Sequence, residues 1–158
     1  MKKFAMMAAV AVTALMAAPA VAHAEWYAGA AYTNFEFDGG DVDAVTGRLG
    51  YKFTPNFAIE GEASTEVNGD DVELNHNAGL YGVAILPVSE NFSVHGRAGY
   101  QTTEIGTPLG EFEDNGVAYG VGATYNFTPA LGIRADYTRL EGDEGEADAM
   151  SVGAAFNF

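Results

Sequence analysis

From Val117 to Phe127 the chain reads VAYGVGATYNF, with Val117, Tyr119, Val121 and Ala123 alternating against Gly120, Gly122 and Thr124. A strict two-residue period is what a β-strand presents to two faces. The last strand repeats it, with Met150, Val152, Ala154, Phe156 and Phe158 against Ser151, Gly153, Ala155 and Asn157. In a sheet that meets water, the apolar face packs inward and the polar face is strongly hydrophilic. Here the second face is mostly Gly, Ala and Ser with isolated charges, too small for that work. Bulky apolar residues outside and small ones inside suit a narrow barrel immersed in lipid. A closed barrel is also one of only two ways to satisfy every backbone group where no water reaches.

Period-2 reading predicts eight strands, near 26–35, 45–53, 57–66, 73–86, 92–103, 116–127, 131–140 and 147–158. The predicted fold class is all-β: an eight-stranded antiparallel up-and-down transmembrane β-barrel. The ten residues YKFTPNFAIE (51–60) return as YNFTPALGIR (125–134), 74 positions later, with a weaker copy, AILPVSENFSV, at 84–94. The repeat reads as the hairpin that crosses the barrel's short-turn end, where Pro pre-sets φ for a turn. The links at the other end, 36–43, 66–73, 104–114 and 141–148, read as longer loops rich in Gly and acids.

The chain opens MKKFAMMAAVAVTALMAAPAVAHA, with Lys2 and Lys3 before an uncharged run from Phe4 to Ala18. That run is shorter than the roughly 20 residues of a spanning helix. With Ala22-His23-Ala24 after it, the segment reads as a secretory signal peptide cut between Ala24 and Glu25. The expected organisation is therefore a signal peptide at 1–24 and a barrel domain at 25–158. No later stretch is apolar enough for a membrane helix, and the absence of Cys removes disulfides and thiolate metal sites.

Charge is distributed as sharply as hydropathy. Beyond residue 24, five basic residues stand against 22 acids, a net of −17, which disfavours nucleic acid as a partner. The four outer links hold 17 of those acids and no Lys or Arg. Such a rim attracts divalent cations through its summed field, although no link follows an EF-hand pattern and no specific metal site is expected. Alternation instead sends Arg48, Lys52, Glu60, Glu62, His95, Arg97, Arg134 and Asp136 into the lumen. Eight strands leave an interior just wide enough for side chains, so these charges are expected to pair. A salt-bridge plug and a rearrangeable gate both fit. Catalysis is not expected: Ser64 and His76 are the nearest approach to a nucleophile and base, and no cofactor is implied. Phe37 and Phe112 are the only aromatics in the outer links, which leaves little surface for adhesion.

The segments WYAGAAY (26–32), YKFTPNFAIEGE (51–62), AYGVGATYNFTP (118–129) and SVGAAFNF (151–158) resemble the small eight-stranded outer-membrane barrels of Gram-negative bacteria, the OmpA-like and opacity-type porin group. The resemblance spans the chain after the signal segment. It implies a monomer in the cell outer membrane, among lipid and lipopolysaccharide. It further implies that Val152, Phe156 and Phe158 form the terminal signal read by the barrel assembly machinery. The function it supports is a structural or envelope-barrier role, with a narrow porin-like conduit for ions or small solutes as the alternative.

Overall fold

The computed structural model describes residues 26–68, 73–107, 110–143 and 145–158. They form eight antiparallel strands: β1 (Trp26–Phe37), β2 (Gly40–Thr54), β3 (Phe57–Asn68), β4 (Glu73–Pro87), β5 (Phe92–Thr107), β6 (Gly110–Asn126), β7 (Leu131–Gly142) and β8 (Glu146–Asn157). Each strand pairs with its sequence neighbour, and β1 pairs with β8 from Tyr27↔Asn157 to Phe37↔Ala147, which closes the barrel. At the short-turn end Trp26, which opens β1, and Phe158, just past β8, exchange both backbone hydrogen bonds and seal the seam.

The repeat now has a physical cause. Thr54 Oγ1 accepts hydrogen bonds from the N–H groups of Asn56 and Phe57 at 3.3 and 3.0 Å. Thr128 Oγ1 does the same for Ala130 and Leu131 at 3.3 and 3.0 Å. In the weak copy, Ser89 Oγ takes the place, serving Asn91 and Phe92 at 3.4 and 3.1 Å. A side-chain hydroxyl thus satisfies two turn amides in every short hairpin. The carbonyl of the residue two places after each hydroxyl then accepts from the next hairpin: Ile85 N to Asn56 O, Asn126 N to Asn91 O, and Asn157 N to Ala130 O.

The opposite end corrects the sequence reading. The strands run on through most of the expected loops, and the first link shrinks to the two-residue turn Asp38–Gly39, with Phe37 paired to Gly40. β5 and β6 likewise stay paired out to Thr107↔Gly110. Backbone groups above the bilayer gain from pairing as those within it do, and Asp-Gly is itself a strong two-residue hairpin signal. Gly40 and Gly110 restart their strands at φ of +156° and +139°, a conformation that strains any side chain. The acids therefore ride on paired strand ends rather than on free loops. The links at 69–72 and 108–109, together with Ala24 and Glu25, lie outside the described residues.

The outer wall carries Leu49, Ile59, Leu80, Val121, Ile133, Met150 and Val152, all at least two-fifths exposed. Trp26–Tyr51, Phe53–Phe57 and Tyr125–Phe127 ring pairs belt the short-turn end. A second belt was not anticipated: Tyr32, Tyr100, Tyr119 and Tyr137 ring the acidic end. Of these, Tyr119 donates to Glu141 at 2.8 Å and Tyr137 to Asp148 at 2.9 Å. Amphipathic rings at both levels mark the two faces of a bilayer.

Candidate functional site

The interior is not lined only by small residues, as the alternation implied. Tyr27, Phe35 and Tyr81 point inward and are buried. Glycine makes their space: a Cβ at Gly50 would lie 2.0 Å from the Tyr27 ring, and one at Gly79 2.6 Å from that of Tyr81. Trp26 and Leu80, the chain neighbours of the two tyrosines, face out.

Between these rings, six charged side chains converge from β2, β3, β5 and β7. Glu60, wholly buried, accepts from Arg134 at 2.7 Å, from Arg97 at 3.1 Å and from the Tyr27 hydroxyl at 2.7 Å. Glu62 accepts from Arg48 at 2.8 Å and Arg97 at 2.6 Å. Asp136 accepts from Arg48 at 2.7 Å and Arg134 at 2.9 Å, with His95 Nε2 2.6 Å away. Three guanidiniums face three carboxylates, so the cluster is formally neutral with His95 uncharged. Arg97 also donates to Thr138 at 2.7 Å and stacks over the Tyr81 ring at 4.4 Å. Each guanidinium fork spans two partners through planar, fixed donors, a geometry that a lysine ammonium does not offer.

Lys52 stands apart. It points inward as expected, yet makes no ion pair among the described residues. Its Nζ donates to Asn157 at 3.3 Å and lies 5.4 Å from the Tyr27 ring centre. Beside the cluster, Thr33, Thr46 and Ser64 link hydroxyl to hydroxyl at 2.7 Å each. No buried side-chain nitrogen or oxygen among the described residues lacks a partner. That completeness matters, because an unpaired buried charge costs several kcal/mol.

Ser64 and His76 are not brought together. Ser64 is buried in the hydroxyl chain, whereas the His76 ring is exposed outside, 3.9 Å from Glu104. A base outside the wall cannot activate a hydroxyl inside it. Among the described residues, no three metal-ligating side chains converge. Val152 and Phe156 lie on β8, Val152 fully on the outer wall, and Phe158 sits at the seam beside Trp26.

The family model for the outer membrane protein β-barrel domain matches residues 5–158. The chain belongs to that family. Its members reside in the outer membrane, and so does this barrel, whose exposed apolar wall meets lipid there. The N-terminal β-barrel domain of Pseudomonas aeruginosa OprF is similar at a TM-score of 0.70 and 17% identity, over 86% of this chain and 100% of that one. OprG from Pseudomonas aeruginosa is similar at a TM-score of 0.66 and 11% identity, over 85% and 96%. Ail of Yersinia pestis, solved with the heparin analogue sucrose octasulfate, is similar at 0.62 and 18%, over 84% and 96%. At such identities these structures share the fold with this outer-membrane barrel, which is OmpA-like in architecture. No curated protein matches the chain.

Proposed function

We propose that this outer-membrane barrel has a structural, barrier-keeping role and that its lumen is closed. The observation that carries this reading is the cluster of Arg48, Arg97 and Arg134 against Glu60, Glu62 and Asp136, bonded across the barrel from four strands. An ion entering the tube would have to displace a guanidinium from two carboxylates at once. Single-channel recording on the refolded barrel tests it. The expected result is no current above bare lipid; steady conductance in the wild-type protein overturns the closed lumen.

One observation favours a conduit as the second reading. Glu60 lies near three cations, Arg134, Arg97 and Arg48, the last at 3.7 Å, so it has alternative partners to exchange. Rare, brief openings that vanish when Glu60 is replaced would support this second reading.

The remaining roles rest on the sequence. Residues 1–24 serve as the signal peptide, cut between Ala24 and Glu25, and the barrel works as a monomer. Val152, Phe156 and Phe158 present the assembly signal to the barrel assembly machinery. The acidic outer rim collects Mg²⁺ or Ca²⁺ diffusely, bridging it to the anionic lipopolysaccharide surface. The sulfated ligand of Ail is a poor guide here, because that rim repels polyanions.

A further inference from the structure

Above the charge cluster the lumen opens at its acidic end into a cavity of about 380 Å³. Its lining is uneven. Phe35, Phe37 and Leu140, from β1 and β7, supply an apolar wall. The two rings lie nearly parallel at 6.4 Å, and Phe37 is 38% exposed, although alternation turns it toward the lumen and not the lipid. The lining from β5 and β6 carries Gln101, Thr103 and Asp114.

Two polar groups in that lining have capacity unspent. Gln101 is 8% exposed; its carboxamide oxygen accepts from Asn77 at 3.2 Å, while its nitrogen donates to no described residue. Since no enclosed polar atom is unsatisfied, that nitrogen must reach open space, and the open space it lines is this cavity. Asp114 accepts the Asp143 N–H on Oδ1 at 3.1 Å, leaving Oδ2 without a partner among the described residues.

We propose that this vestibule binds a small amphipathic organic cation, an ammonium group on an apolar body that also bears an oxygen acceptor. The ammonium meets Asp114, the body lies against Phe37 and Leu140, and the oxygen accepts from Gln101. No Lys or Arg lines the described cavity, and the three lumen arginines are already held by carboxylates below it, so an anion has no receiver. Among the described residues no three carboxylate or imidazole groups converge on one point, so the cavity offers a cation a single carboxylate beside an apolar wall. An exposed aromatic face in one cavity with a carboxylate favours an organic cation by both routes. The proposal holds whether the lumen below is closed or conducts.

Tyramine is a suitable probe, with an ammonium, a ring and a phenolic oxygen. It would be titrated into the isotopically labelled, refolded barrel and followed by backbone amide NMR. Saturable shifts at residues 35, 37, 101, 103, 114 and 140 are expected. Tyrosol, which has a hydroxyl in place of the ammonium, should bind at least roughly threefold more weakly. Asp114→Asn keeps the acceptor for Asp143 but loses the charge, and Phe37→Leu keeps apolar bulk but loses the ring face. Asp114→Asn should weaken tyramine roughly threefold while leaving tyrosol unchanged, whereas Phe37→Leu, which alters the wall under the shared ring, should weaken both. If Asp114→Asn fails to refold, the tyramine-to-tyrosol ratio in the wild-type barrel decides. Unsaturable shifts, shifts confined to lipid-facing residues such as Leu80, or equal affinity for tyrosol would overturn the proposal.

Discussion

Glu60 and Arg134 are 74 residues apart in the chain, occupy the same place in two copies of one sequence repeat, and meet in the lumen at 2.7 Å. The pair is the centre of the six-charge cluster. Replacing Glu60 by Gln leaves Arg134 and Arg97 facing a neutral amide in a place water barely enters. We expect a loss of about 3 kcal/mol or more in unfolding free energy, measured by urea titration in lipid vesicles. The double replacement Glu60→Leu with Arg134→Met should recover part of that loss, because no charge is then stranded between them. A double loss equal to the sum of the Glu60→Leu and Arg134→Met single losses would show that the two residues do not interact.

The turn hydroxyls give a smaller and independent effect. Thr54→Ala and Thr128→Ala each strip two backbone amides of their acceptor. Each should cost about 1 kcal/mol, and since the turns share no partner the two should add. Valine at either position, which matches threonine in shape, should behave like alanine if the hydroxyl is what counts.

Glycines divide into two classes that mutagenesis can separate. Alanine at Gly50 would intrude on the Tyr27 ring, whereas the nearest atom to a Cβ at Gly61 is 3.9 Å away. Gly50→Ala should lower the yield of heat-modifiable, folded barrel on gels; Gly61→Ala should leave it unchanged. Combining Gly50→Ala with Tyr27→Ala should restore folding if the ring is the obstacle.

The direction of the wall is open to direct test. Single nitroxide labels at Ile59, Val121 and Ile133 should be quenched by lipid-soluble oxygen and shielded from aqueous nickel chelates. A label at Ala118, which is buried inside, should be shielded from both. Nickel access at the first three positions would reverse the assignment of faces.

The strand count, closure and the facing of residues outside β1 and β4 were legible because alternation is a local pattern, read two residues at a time. Arg48, Glu60, Glu62, Arg97, Arg134 and Asp136 could be sent inward on that ground alone. Their partners could not be assigned, because register across the barrel decides which guanidinium meets which carboxylate. Lys52 shows the difference. Its parity matched the others, yet it lies nearer the short-turn rim, beside Asn157 instead of a carboxylate. The outer links were misjudged for another reason. Composition rich in Gly and acids looks like loop, although Asp38–Gly39 is a hairpin turn in two letters. Tyr27, Phe35 and Tyr81 lie on β1 and β4, where large side chains on both faces leave alternation unable to say which face meets lipid.

The carbonyls of Asn56, Asn91 and Ala130 tie each short hairpin to the next strand pair, and the Trp26–Phe158 exchange with the Trp26↔Tyr51 ladder pair completes the circuit. Such a hoop has no loose edge at which separation of strands can start. Any parting of strands must then begin away from this ring. The barrel is built as a cup with a bound foot, its acids gathered on the paired strand ends of the opposite rim.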